Sequence, residues 1–209
     1  VSDTGVDEKS CFFANTPNEL PISRINCSDE ETCRAVTFSR PERRKVVQYV
    51  FIPGRSDETD GPSGLGTGAA GAAVGACLDS SMSAADGSAP RAQLAVFDLS
   101  VSDSVAEDGA YTILSDPLAA WLPQNASGAR IHLNGWTLGP TSTSAAAAYT
   151  YTAEEAAADA FSFDNPENLL IFPSGDQGAK GGLSSLAWSA GCKNGISVGA
   201  SSMRLGLED

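Results

Sequence analysis

Lys45-Val46-Val47-Gln48-Tyr49-Val50-Phe51-Ile52, stopped by Pro53-Gly54, is the stretch from which the fold is read. Its β-branched and aromatic residues, closed by a turn pair, mark a strand. A polar loop from Arg55 to Ser63 separates it from Gly66-Thr67-Gly68-Ala69-Ala70-Gly71-Ala72-Ala73-Val74-Gly75-Ala76. That segment is too small-sided for a surface helix with an ordinary apolar stripe. Gly and Ala on every face suit a helix packed tightly against its neighbours, despite the propensity cost of Gly. Ser80 to Pro90 reads as a small-residue loop, and Gln93-Leu94-Ala95-Val96-Phe97-Asp98-Leu99 as a second, buried strand.

The alternation continues downstream. Arg130-Ile131-His132-Leu133 is a third strand, and Leu169-Leu170-Ile171-Phe172, closing on Pro173-Ser174-Gly175, a fourth. Gly195-Ile196-Ser197-Val198-Gly199 is a fifth. A helix is expected from Thr152 through Phe161, with Thr152 as cap and Glu154-Glu155 in its first turn. Strands separated by helices imply an α/β fold, a mostly parallel sheet with helices on both faces. With no internal repeat and no Pro/Ser linker, residues 1–209 read as one domain.

Composition narrows the function. Apolar residues are 42% and charged ones 19% of the 209, enough for a sizeable core and too few charges for a disordered acidic tail. Thirteen Lys and Arg face 26 Asp and Glu, a formal charge of −13. A phosphate-tracking surface needs the opposite sign, so nucleic acid is not the expected partner. No apolar run approaches the roughly 18 residues of a membrane span. The chain begins on Val1-Ser2-Asp3-Thr4-Gly5 without Met or a signal peptide, as a piece of a longer precursor would.

Five cysteines (Cys11, Cys27, Cys33, Cys77, Cys192) show no C-x-x-C pair and have one His beside them, His132, which argues against structural zinc. Cys11, Cys27 and Cys33 fall in a Pro- and polar-rich, loop-like stretch where disulfides are expected. The odd count leaves at least one thiol over, and the pairing stays open. The triplets Asn26-Cys27-Ser28 and Asn125-Ala126-Ser127 have the form of glycosylation acceptors. With the cysteines they favour the secretory pathway, outside the cell or in an organelle lumen. Buried reduced thiols in an intracellular protein are the alternative.

Four segments in order resemble the subtilisin-like serine proteases. Asp3-Thr4-Gly5-Val6-Asp7 is similar to the motif carrying that family's catalytic Asp. Ser63-Gly64-Leu65-Gly66-Thr67-Gly68-Ala69-Ala70-Gly71 resembles the helix-opening H-G-T-H-x-A-G. Phe172-Pro173-Ser174-Gly175-Asp176-Gln177-Gly178 resembles the oxyanion segment A-A-G-N-x-G, and Ile196-Ser197-Val198-Gly199-Ala200-Ser201 the V-G-A-[ST] strand after it. The resemblance covers nearly the whole chain and implies the family's three-layer fold, here without its C-terminal third. It makes Asp3 the retained triad Asp. Leu65 then stands at the general-base His, Gly68 at the second His and Asp176 at the oxyanion Asn. No G-T-S-x-A-x-P nucleophile motif occurs before Asp209.

These departures carry a chemical reading. In the family a Ser hydroxyl loses its proton to an imidazole that the Asp orients. Leu65 accepts no proton at any pH, so Asp3 has no base to serve. In subtilisin itself, loss of the His alone lowers the rate on the order of 10⁶, a magnitude borrowed here for a relative. Asp176 sets a carboxylate where an amide would donate to the oxyanion, and one lost donor costs roughly 10²–10³. A raised pKa would leave it protonated and able to donate. His132 reads as a hydrogen-bonded structural His rather than a substitute base. Cys77, with no basic residue near it in sequence, reads as buried or bridged rather than nucleophilic. Asn134-Gly135-Trp136 resembles the wall of the family's substrate pocket, making Gly135 and Trp136 the expected substrate contacts. No cofactor is expected. Asp3 and Asp7 with other carboxylates offer the one candidate for Ca²⁺, two solvated acidic residues being the plainer account.

The resulting expectation is a catalytically inactive homologue with a binding, scaffold or accessory-subunit role. Its partner is another protein or the chain's own C-terminal part, with an extended peptide as a further ligand. The competing expectation is an active endopeptidase whose Ser lies on a part absent from these 209 residues.

Overall fold

The computed structural model describes residues 1–16, 20–37, 44–100, 114–136, 150–176 and 186–201. Seven strands run in parallel: β1 (Ser2–Asp3), β2 (Ser23–Asn26), β3 (Val46–Phe51), β4 (Leu94–Asp98), β5 (Ile131–Leu133), β6 (Leu169–Pro173) and β7 (Ile196–Val198). They form a four-stranded sheet β1-β4-β3-β2 and a three-stranded sheet β5-β6-β7. A single parallel bridge, Ser2 to Asn134, joins them into the order β2-β3-β4-β1-β5-β6-β7. The expected α/β architecture, parallel strands with helices packed on them, is thus present in the described residues.

Side-chain alternation sorts the core into two layers. Tyr49, Phe51, Leu94 and Val96 pack with Phe13 and with Ala70 of α2 (Leu65–Val74) on one face. Val50, Ile52, Phe97, Leu99, Leu170 and Phe172 point the other way. There they meet Cys33 of α1 (Glu30–Arg34), Trp121 of α3 (Leu118–Ala126), and Ala158 and Phe161 of α4 (Ala153–Asp164). Because β3 and β4 are covered on both faces, every one of their residues is buried, and each reads as a continuous run.

Several elements differ from the sequence reading. The stretch through Cys33 is not all loop: it holds β2 and α1, whose first turn is closed by a capping box between Asp29 and Thr32. Cys27 and Cys33 are disulfide-bonded across that turn. Ser80–Ala85 is a 3₁₀ segment rather than a plain loop, started by Asp79 accepting from Ser81 N. α3 went unread because Pro123 stands inside it. The carbonyl of Pro123 accepts from Gln48 Nε2 of β3 (3.1 Å), which ties the helix to the sheet. α2 is not packed on every face. It buries Gly66 and Ala70, while Gly68 and Ala72 on its other side are exposed and border a cleft. α4 follows expectation, with Thr152 as cap and Glu155 completing a capping box, and runs on to Asp164.

Candidate functional site

Ligands of open parallel sheets bind beyond the strands' carboxyl ends, and there this chain collects its chemistry. Asp3 and Asp98 close β1 and β4 in register with each other. Asn134, Gly135 and Trp136 follow β5, and Ser174 to Asp176 follow β6.

The Asp3-Thr4-Gly5 turn and the start of α2 are built onto each other. α2 begins at Gly64 with no side-chain cap of its own, leaving its first N–H groups to be satisfied from elsewhere. Thr4 Oγ1 accepts from Gly66 N (2.9 Å) and donates to Asp60 Oδ1 (2.7 Å). Asp60 Oδ2 accepts from Thr67 N (2.8 Å), and Thr67 Oγ1 accepts from Asp7 N (2.8 Å). The helix is therefore capped by the β1 turn and by a carboxylate suited to its positive end. A Cβ on Gly66 would lie 3.0 Å from Gly5 N and closer still to the Gly5 carbonyl, so only glycine lets the helix approach this closely. Leu65, the residue before it, is held beside the Asp3 turn and is 47% exposed.

Asp3 is buried, and its Oδ1 accepts from Thr4 N (2.7 Å). Its carboxylate lies against the Cα of Gly135, where a Cβ would come within 2.5 Å of Asp3 Cγ. Gly135 N in turn donates to Ser2 O (2.8 Å). Gly135 thus contacts Asp3 directly. Trp136 is 6% exposed and edge-on to Phe172, its centroid 6.3 Å away. Asp176 is exposed at the end of the β6 turn, which Ser174 ties to Val198 O (2.8 Å). Gln177 and Gly178 of the oxyanion-like segment lie outside the described residues.

His132 is fully buried in the other layer. Nδ1 faces Gln124 Oε1 of α3 (2.8 Å), Nε2 faces Asn168 Oδ1 (2.9 Å), and the ring meets Phe161 edge-on. Burial lowers its pKa to about 4, against the opposing pull of Asn168. It is a structural His whose ring nitrogens are both engaged.

Sequence reading missed the support beneath the site. Asp98, 1% exposed, accepts from Tyr49 Oη (2.8 Å) and from Ser100 N (2.9 Å), and Tyr49 Oη accepts from Val6 N (3.2 Å). Burial, aided by the charges of Asp57 and Asp60, raises Asp98 to about 8 against the pull of its two donors. Burial and Asp98 keep the Tyr49 phenol protonated. These groups join only through strand register, which no local pattern announces. Above them Val6 to Phe12, Asp57 to Pro62 and one side of α2 border a cleft of about 1050 Å³. Among the described residues no group of three or more His, Cys, Asp or Glu is placed to hold a metal ion.

The chain belongs to the subtilase family, whose model matches residues 1–204. Among curated proteins it is similar to three from Dictyostelium discoideum, each matched over 96% of this chain. They are the serine protease/ABC transporter B family proteins tagD (32% identical), tagB (30%) and tagA (26%). The chain spans only about a tenth of their length: 10%, 9% and 10% respectively. No solved structure matches it significantly.

Proposed function

We propose that this chain is a non-catalytic subtilase domain with a binding or scaffold role in a larger assembly. The observation that carries the reading is Leu65. It is the first residue of α2, at the position that the motif resemblance assigns to the family's imidazole, and offers no atom that can take a proton. The one His of the sequence is committed to Gln124 and Asn168 in the opposite layer. The preserved scaffold suits recognition of an extended peptide, which needs walls and backbone edges but no triad. The acidic surface favours partners of opposite charge. The relatives' names join a serine protease to an ABC transporter, and on that analogy the domain holds a peptide or a neighbouring subunit within a longer membrane-associated polypeptide.

A retained, buried Asp3 favours the second reading, an active endopeptidase completed by another part of the protein. Both are tested on the full-length protein with a fluorophosphonate probe and a mixed peptide library. The expected result is no stoichiometric labelling and no cleavage. Stoichiometric modification of a serine, with cleavage that disappears in Asp3→Ala, overturns the proposal.

A further inference from the structure

Cys11 and Cys77, 66 positions apart in the chain, lie in segments whose backbones are paired: Leu78 N donates to Cys11 O (3.2 Å) and Ala76 N to Phe12 O (3.2 Å). Arg44 clamps the same two segments. Its guanidinium donates to Ala76 O (2.5 Å), Ala14 O (2.7 Å) and Phe12 O (3.3 Å). The Cys77 sulfur also accepts from Asp79 N (3.4 Å), and Cys77 N donates to Asp86 Oδ1 (2.9 Å). Cys11 is exposed and Cys77 half-buried, so one partner of the pair is open to a reagent and the other is shielded. The chain already carries one disulfide, Cys27–Cys33.

We propose that Cys11 and Cys77 are a redox site, closing to a second disulfide that ties the segment after β1 to the end of α2. The oxidant is an external disulfide, either glutathione disulfide or that of a thiol–disulfide oxidoreductase. The exposed Cys11 thiolate attacks one of its sulfurs and expels the first thiol. The Cys77 thiolate then attacks the Cys11 sulfur of the mixed disulfide and expels the second. The two cysteines lose two protons and two electrons, and the reagent's disulfide gains them as two thiols. The bridge has a structural consequence. Val6 to Ser10 and Phe12 line the cleft together with Thr67, Gly68, Gly71 and Ala72 of α2. α2 is already pinned at its start by Thr4 and Asp60, and the bridge pins its end. Closed, the pair adds a covalent tie to the Arg44 and backbone bonds that hold these segments; reduced, only those non-covalent ties remain. This inference does not depend on whether the domain is catalytic.

The test is peptide mapping of the full-length protein equilibrated with glutathione disulfide, alkylated, and cut with trypsin. Cys11 lies in Ser10–Arg24, Cys77 in Ser56–Arg91, and Cys27 and Cys33 together in Ile25–Arg34, which serves as the internal control. The expected product is the first two peptides joined, separated again by dithiothreitol. In Cys77→Ser the Cys11 thiol alkylates at once under conditions that leave it protected in the wild type. Amide exchange across residues 6–12 and 65–74 is expected to rise several-fold on reduction. Free Cys11 and Cys77, or either one joined to Cys192, while Cys27–Cys33 is oxidised, overturns the assignment. A bridge that forms without any change in exchange overturns the clamp.

Discussion

Asp98→Asn separates the buried carboxyl from every other titration in the protein. An isolated Asp has a pKa near 3.8, and burial beneath the Asp3 turn raises Asp98 to about 8. Between these values the folded protein holds a proton that the unfolded chain has released, so stability falls as pH rises from about 4 to about 8. Below that window both states are protonated, and above it both are ionised. Four units at 1.36 kcal/mol each set a ceiling on the order of 5 kcal/mol for the loss. His132 works in the opposite sense. Its folded pKa of about 4 lies below the ordinary 6.5, so its contribution is fully present above 6.5 and lost as pH falls through 4. Subtracting wild-type from Asp98→Asn stability cancels this opposing contribution. Asparagine keeps an acceptor for Ser100 N and cannot ionise. Urea unfolding followed by fluorescence of the buried Trp121 and Trp136 is expected to show the difference climbing by a few kcal/mol from pH 4 to pH 8, then levelling. A difference that stays flat within about 0.5 kcal/mol refutes the assignment of a protonated Asp98.

Three further outcomes follow from the packing. Gly135→Ala drives a methyl into the Asp3 carboxylate and is expected to destabilise by about 1–3 kcal/mol, read as a lowered urea midpoint. Leu65→Ala alters a half-exposed side chain and is expected to stay within about 0.5 kcal/mol of wild type, which thermal unfolding checks; a large loss would make Leu65 a structural residue. Cys33→Ser opens the short Cys27–Cys33 loop and is expected to cost about 2 kcal/mol by loop-closure entropy, measured by denaturation with and without reductant.

β3, β4 and β6 were legible because burial forces apolar runs, and α4 because its cap and first-turn acids are local signals. α1 is five residues long, too short for periodicity to show, and Pro123 masked α3. At the site, Asp3, Leu65 and Asp176 were read from motif order, and the fold brings the Asp3 turn and the start of α2 together. Tyr49, Asp60 and Asp98 escaped because their partnership is created by pairing strands distant in sequence. The pairing of the Cys11 and Cys77 segments escaped because loops 66 positions apart leave no local pattern. Loop-like composition also misled over residues 20–37, where a disulfide and a capping box, not an apolar stripe, hold the local structure.

One seam runs through the molecule. β1 is two residues long, and to its β5 side the sheet is stitched by the Ser2–Asn134 bridge, the Gly135 N to Ser2 O bond and the reach of Gln124 from α3 to Val1 O and Ser2 Oγ. The broader ladders lie on either side of it. Beneath it the core does not divide: Val50 and Phe97 of one sheet and Leu170 and Phe172 of the other belong to one buried cluster with Trp121. The Asp3 carboxylate and Gly135 meet across the seam, so whatever lodges between them touches both sheets at once.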